Sequence, residues 1–277
     1  MAHSNDQRVV LRPQISYANK FGKHDVGALF LYEQTTYTSE SMNAGRRDFP
    51  VFDLPELNFG DPTTATNASS SGKSAFAGFV GRLNYAYDDK YLIEASFRYD
   101  GSYLFHKDHR WGFFPSVSVG WVMSQEDFFQ SALPKIEYFK LRGSIGTLGN
   151  DNVTAFLYRK QFAYNASSVA FGSTPASQGT LSNSVAFPFE DLTWERTRTY
   201  DIGFEMSAWN GLLGVEFDYF YKYTFNILQS IGGIYPPSLG GHYPAYINDG
   251  TFDNRGFELV LRHRNRICLL YTSPSPR

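Results

Sequence analysis

The side chains of most reactive type in this sequence are His106, Lys107, Asp108 and His109, a run that sets two imidazoles around one carboxylate. Such a His pair could hold a divalent cation, but a closed site takes four ligands and no third or fourth is identifiable. A His pair in a loop is also the ordinary solvated case. The single cysteine, Cys268, offers neither a disulfide framework nor a Cys-based metal centre. No Gly-rich phosphate loop and no nucleophile elbow occurs. The chain therefore reads as a non-enzyme with no metal and no cofactor. Asn67-Ala68-Ser69 and Asn165-Ala166-Ser167 match glycosylation acceptors, a pattern too short to carry weight by itself. Two other groups invite a binding role. Charges recur at alternate positions: Arg82, Glu94, Arg98, Lys140, Arg142, Asp201, Glu205, Glu216, Asp218, Glu258 and Arg262. Aromatics in polar stretches, namely Phe52, Phe59, Tyr164, Tyr235, Tyr243 and Tyr246, could stack on a sugar or touch a partner lid, or simply pack the loops together.

The alternate charges need strands to hold them. In residues 79–87, Phe79, Leu83, Tyr85 and Tyr87 share one face while Arg82 and Asn84 share the other. Tyr91, Ile93, Ala95, Phe97 and Tyr99 then alternate with Glu94, Ser96 and Arg98. Trp111, Phe113, Pro115, Val117, Val119 and Trp121 alternate with Gly112, Ser116, Ser118 and Gly120. A period of two is the strand period, so these segments predict long antiparallel strands with one apolar and one charged face. Comparable strands are predicted over 8–17 (weakly alternating, and tolerating Pro13 only at an edge), 25–38, 139–145, 194–208, 213–222 and 254–264. Leu29 and Leu31 blur the pattern in the second of these. Asp88-Asp89-Lys90 and Asn210-Gly211 are hairpin turns, the latter the strongest short hairpin signal present. Residues 124–133, opening on Ser124-Gln125-Glu126-Asp127, predict one helical turn with a capping-box-like start. Residues 39–73, 147–191 and 226–253 read as long loops, with 156–164 as a possible hairpin arm.

About nine strands of roughly 9–14 residues are long enough to cross a bilayer at a tilt. Tight turns alternate with long loops, as in outer-membrane barrels. Aromatics are 17% of the chain and mark strand ends at Tyr87, Tyr91, Trp111, Trp121, Trp209 and Tyr221, where a membrane interface would hold them. The mean hydropathy of −0.34 agrees, since every lumen-facing residue is polar. No apolar run reaches helix-spanning length, and a net charge of −2 gives no footing for nucleic acid.

Particular residues carry a family likeness. Arg98-Tyr99-Asp100-Gly101-Ser102, then Arg110-Trp111-Gly112-Phe113-Phe114-Pro115-Ser116 and Trp121, resemble the SusC/RagA family of TonB-dependent outer-membrane transporters. So do Leu141-Arg142-Gly143-Ser144-Ile145-Gly146 with Gly149-Asn150, and Leu192-Thr193-Trp194-Glu195 with Thr199-Tyr200-Asp201-Ile202-Gly203. Phe217 to Lys222, Asn254-Arg255-Gly256-Phe257-Glu258-Leu259 and Phe21-Gly22-Lys23-His24 are similar to further segments, in order along nearly the whole chain. Within these motifs Arg98, Asp100, Gly101, Arg110, Trp111, Gly112, Pro115, Trp121, Trp194, Glu195, Asn254, Gly256 and Glu258 are expected to be structural.

The resemblance implies an all-β, antiparallel up-and-down transmembrane β-barrel of about 22 strands with a plugged lumen. This chain would supply a partial, C-terminal-side stretch of it over residues 1–266. The start lacks a signal peptide, and the TonB-contacting segment and plug are not in the chain, so a fragment is expected. The implied partners are outer-membrane lipid, a SusD-like surface lipoprotein, the TonB complex acting through the N-terminal part, and an oligosaccharide or peptide substrate. The implied setting is the outer membrane of a Gram-negative bacterium of the Bacteroidota. Residues 267–277 break the alternation and resemble sequencing-adaptor read-through, a non-native tail. The rival readings are a siderophore-type receptor, a barrel enzyme or adhesin, and a soluble all-β glycan-binding module.

Overall fold

A computed structural model describes residues 1–50, 56–160, 162–171, 176–183, 188–231, 235–236, 238 and 246–265, with side chains undescribed over 162–171 and 176–183. Its body is one antiparallel sheet: β1 (Ala2–Leu11), β2 (Gln14–Phe21), β3 (His24–Gly45), β4 (Thr66–Tyr87), β5 (Tyr91–Ser102), β6 (Trp111–Val122), β7 (Ile136–Asn150), β10 (Glu195–Ala208), β11 (Leu213–Ser230) and β12 (Tyr246–His263). From β3 onward each strand of this sheet lies beside the next one of the sheet in the chain, the up-and-down order expected, while β1 and β2 both pair with β3. β8 (Phe162–Phe171) and β9 (Ala176–Asn183) pair apart as a two-stranded sheet in the β7–β10 connection.

Several expected boundaries are corrected. The single strand over 8–17 is two segments on one register along β3, with Leu11 opposite Gln34 and Gln14 opposite Leu31. Pro13 accepts a bond from the Tyr32 amide at 3.1 Å but has no N–H to return, so the ladder lapses there. The stretch 39–73 is strand at both ends rather than loop throughout: β3 and β4 each run 22 residues, from His24 opposite Tyr87 to Gly45 opposite Thr66. At ~3.3 Å per residue that is roughly 70 Å, far more than a bilayer needs. Similarly β7 continues to Asn150, β11 to Ser230, and β12 begins at Tyr246. Residues 155–159 form turns, and the hairpin arm begins only at Phe162. Trp194 lies one residue before its strand.

The turns match expectation. Asp88 and Asp89, and Asn210 and Gly211, take positive φ at the centres of tight turns closed by Lys90 N to Tyr87 O and Leu212 N to Trp209 O. The short helix α1 (Asp127–Ala132) is present, but no capping box forms. Glu126 is its N-cap without a side-chain cap, because its carboxylate is taken by Tyr91, Lys90 and Trp121.

The two faces differ as the alternation requires. On one, Val119, Ile202, Phe257 and Leu261 are 53–70% exposed with no protein layer over them. Aromatic ranks bound this band. At the turn end Tyr87, Tyr91 and Trp121 stack in file, with centroids 6.4 and 6.2 Å apart. Towards the loops Tyr32, Phe79, Tyr99 and Trp111 do the same. Phe79 and Tyr87 are about eight residues apart, which at the usual barrel tilt gives an apolar height of roughly 20 Å. An uncovered apolar band of that height is a lipid-facing surface. The buried core is small and lies at the loop end, where Phe105, Phe114, Leu192 and Trp194 pack together.

Candidate functional site

The charged face carries the candidate site. Glycine and serine at alternate positions keep it low, leaving three adjoining hollows. One of about 620 Å³ is lined by Asn84, Glu94, Ser118, Lys140, Arg142 and Asp201. One of about 500 Å³ includes Arg82, Glu94, Arg98 and Thr147. A third of about 620 Å³, at the loop end, includes Arg8, Glu33, Tyr37, Arg98, Asp100 and Trp194. Glu94 belongs to the first two, and Arg98 and Asp100 to the last two, so they form one groove along the strands.

At the turn-end side of this groove four strands share one ion cluster. Arg142 of β7 donates from Nε to Asp218 Oδ1 at 3.0 Å and from Nη2 to Asp218 Oδ2 at 2.5 Å, a bidentate grip across an intervening strand. It also bonds Glu205 of β10, and reaches Glu216 of β11 at 3.2 Å. Arg262 of β12 meets Glu216 at 3.1 Å. The grip is possible because Gly203 stands between Arg142 and Asp218 in the register. A Cβ there would lie 2.0 Å from Asp218 Oδ1 and 2.5 Å from the Phe217 carbonyl oxygen. Five of the eleven alternate charges, Arg142, Glu205, Glu216, Asp218 and Arg262, thus pair across strands.

The motif residues gather elsewhere. Arg98 makes a two-point bond to Asp100 at 2.9 and 3.0 Å. Gly101 accommodates the Trp111 ring. The β6–β7 ladder stops at Ser116 and Gly146, so Trp111–Pro115 and Thr147–Asn150 are unpaired with each other among the described residues. Phe114 fills this opening, and any Cβ at Gly112 or Gly149 would strike its ring at 2.3 or 2.1 Å. Trp194 packs on Phe105 and Phe114 with centroids 5.2 Å away and donates from Nε1 to the Arg110 carbonyl at 2.9 Å. Glu195 accepts from Asn150 at 3.2 Å. On β12, Gly256 makes room for Phe220, while Asn254 and Glu258 lie opposite Lys222 and Asp218. Pro115 faces Phe97 on the lipid side and Trp121 sits in the turn-end rank. At the loop end Phe114 and Trp194 thus fill the gap between β6 and β7.

The described loop aromatics stand at separate places in the fold. Phe59 ends a short 3-10 helix, exposed; Tyr246 opens β12 opposite Ser230; Tyr235 is exposed; Tyr164 pairs with Leu181 in the outlying hairpin. Phe52 and Tyr243, and residues 267–277, lie outside the described residues. His106 and His109 bond different carboxylates, Asp108 at 3.2 Å and Asp191 at 3.6 Å. Among the described residues no group of three or more His, Cys, Asp or Glu is placed to hold a metal ion. Reading by sequence missed Asn248. Its side chain holds both main-chain polar groups of Thr193 and the Asn226 carbonyl, fixing the segment before Trp194 to β11 and β12. A lone Asn in a polar loop carries no signal for that. Phe105 was missed for a like reason, and Leu192 was read only as a motif letter, since their burial depends on loops meeting.

A lipid-facing band, interfacial aromatics and a polar concave wall define part of a large outer-membrane-type barrel. Residues 3–273 match the family described as TonB dependent receptor-like, beta-barrel. A TonB-dependent receptor of Formosa agariphila is 35% identical over 211 residues, covering 76% of this chain and 20% of that protein. SusC of Bacteroides thetaiotaomicron is 31% identical over 194 residues, covering 68% of this chain and 18% of SusC. The RagAB peptide importer in its closed-closed state superimposes with a TM-score of 0.80 at 23% identity, over 95% of this chain and 28% of that one. The chain belongs to the TonB-dependent receptor β-barrel family, and its likeness within it runs to SusC and RagA. It spans about a fifth of the length of the curated relatives. The family comprises receptors and transporters rather than enzymes, and its barrels reside in the outer membrane.

At the turn-end rim, outside the spanning strands, Glu126 accepts from the Tyr91 hydroxyl at 2.7 Å, from Lys90 at 3.2 Å and from the Trp121 indole at 3.4 Å. These donors, the Tyr91 hydroxyl first, hold its carboxyl below the usual glutamate range against the opposing effect of desolvation. A depressed pKa gives stability that is complete above the ordinary glutamate value and lost as pH falls through the folded one. Melting of the full-length receptor in detergent is expected to lose a component below about pH 4 that Glu126→Gln abolishes. An unchanged acid limb in that variant would remove Glu126 from the account.

Proposed function

We propose that the chain is barrel wall of a TonB-dependent importer in the outer membrane of a Gram-negative bacterium of the Bacteroidota. Its cargo would be an oligosaccharide, or else a peptide, received with a SusD-like surface lipoprotein. TonB would act through the N-terminal part of the full-length protein. The observation that carries the reading is the polar groove from the Arg142 cluster to the Arg98–Asp100 pair, backed by a lipid-facing band. Likeness to SusC favours a glycan, and that to a peptide importer keeps peptides as the second cargo class.

On this reading Arg98, Asp100, Gly101, Arg110, Trp111, Gly112, Pro115, Trp121, Trp194, Glu195, Asn254, Gly256 and Glu258 serve the wall. Phe52, Phe59, Tyr164, Tyr235, Tyr243 and Tyr246 are the loop positions for ligand or lid contact. Residues 1–266 are one barrel portion and 267–277 a non-native tail, which sequencing source DNA across that junction would check. The functional test is uptake. Cells lacking the full-length gene are expected to lose growth on one oligosaccharide class, and the tagged receptor to copurify with a SusD-like lipoprotein. Growth unchanged on every glycan and peptide, with no lipoprotein retained, would refute the importer.

A further inference from the structure

The lipid-facing band ends, on the turn side, in a groove that a bare sheet would not make. Helix α1 folds against this face: Phe129 is buried and stacks on Phe139 at 5.4 Å, while exposed Phe128 lies 6.3 Å from Trp121. The segment after the helix is tied to the β10–β11 turn by Trp209 N donating to the Lys135 carbonyl at 2.9 Å. Between them lies a hollow of about 320 Å³, lined by Leu133, Pro134, Ile136, Met206 and Trp209 among others. Met206 stands opposite Phe139 and one alternation from Phe204, so the hollow opens on the lipid-facing side. Its one charged lining residue is Lys135.

We propose that this groove binds a glycerophospholipid of the leaflet on the turn side, one acyl chain in the hollow and the phosphate against Lys135. Continuity with the apolar band makes lipid the occupant. A flexible lysine at the end of an apolar channel places its ammonium at headgroup level. Trp209, half exposed on the same rim, is of the type that marks the membrane interface. Barrels of this class put their short turns on the periplasmic side, so the site belongs to the inner leaflet and not to the lipopolysaccharide side.

The inference rests on the outer-membrane placement, and its test separates the two. The full-length receptor in detergent is titrated with palmitoyl-oleoyl phosphatidylethanolamine and bound lipid is counted by native mass spectrometry. One lipid is expected to persist when the detergent-exchangeable annulus is gone. Lys135→Glu and Ala132→Trp should each cut its retention by at least about fivefold, with Lys20→Glu at another turn as the unaffected control. If a variant fails to fold, quenching by brominated phosphatidylethanolamine in the wild type, reduced in Trp209→Phe, reads the same contact. Equal retention in folded Lys135→Glu and Ala132→Trp, equal quenching in Trp209→Phe, or equal retention of lipopolysaccharide overturns the site. Partition of the receptor into detergent-free buffer overturns the membrane placement itself.

Discussion

A full-length receptor carrying Gly203→Val is expected to reach the outer membrane in much lower yield and to lose its heat-resistant form at lower temperature. The new side chain meets two obstacles. Asp218 Oδ1, 2.0 Å from the added Cβ, can swing away only by releasing Arg142. The Phe217 carbonyl, 2.5 Å away, is ladder backbone and cannot swing at all. Overpacking of this kind costs about 1–3 kcal/mol. Breaking the grip also leaves Glu205, Glu216 and Asp218 together with less of Arg142 to neutralise them. These side chains are 16–32% exposed to the lumen, so water tempers that second loss and the steric cost leads. Gly143→Ala is the internal control, since its Cβ would be 3.7 Å from the nearest atom and should melt close to wild type. Asp218→Ala combined with Gly203→Val should recover part of the loss, because one obstacle is gone and the carbonyl remains. Wild-type melting of Gly203→Val would show that the two neighbouring strands separate freely there, against the packed register.

How much of this was legible beforehand follows from where each signal lives. Period-two alternation in residues 79–121 is local, and it delivers register and face together: Leu83, Ala95, Val117 and Ile145 align across four strands as their parity requires. The upper halves of β3 and β4 escaped because both faces leave the bilayer there, so Ser39 and Ser41 lie opposite Gly72 and Ser70 with no apolar stripe to alternate against. The ladder simply propagates through them, helped by contacts such as Ser41 to Ser70 at 2.7 Å. Leu29 and Leu31 blurred their strand because Leu31 faces Val80 on the lumen side, a local apolar patch in a polar wall. Gly112, Gly149 and Gly203 were legible only as motif letters. The reasons for Gly149 and Gly203, the Phe114 ring and the Arg142–Asp218 bridge, join residues far apart in the chain, and the ring that Gly112 clears is held in place by those same distant contacts. The Trp194 cluster is the extreme case, with its indole bonded to a carbonyl 84 positions away.

The 277-residue chain expressed by itself is expected to accumulate as aggregate or edge-paired oligomer, and to give no monomeric heat-resistant band in detergent. β1 and β2 occupy the same side of β3, so the ten strands fill nine positions across the sheet. Neighbouring positions are antiparallel, which makes the first and the ninth run in the same direction. Closure by β12 onto β1 and β2 would therefore need a parallel seam, whereas single-chain bacterial barrels close with an even count and antiparallel pairs throughout. Unclosed, β12 leaves unpaired the outward amide and carbonyl of every second residue along Tyr246–His263, and those within the apolar band face lipid. Each such unsatisfied group costs several kcal/mol in the hydrocarbon layer. Edges of that length recruit other strands, and the nearest supply is a second copy of the chain. Supplying the remaining strands as part of the full-length receptor should restore a monomeric band, because the same edges then pair within one molecule. A closed, heat-resistant monomer from the isolated chain would mean that nine positions can curl and seal, and that this wall is independent of the strands beyond it.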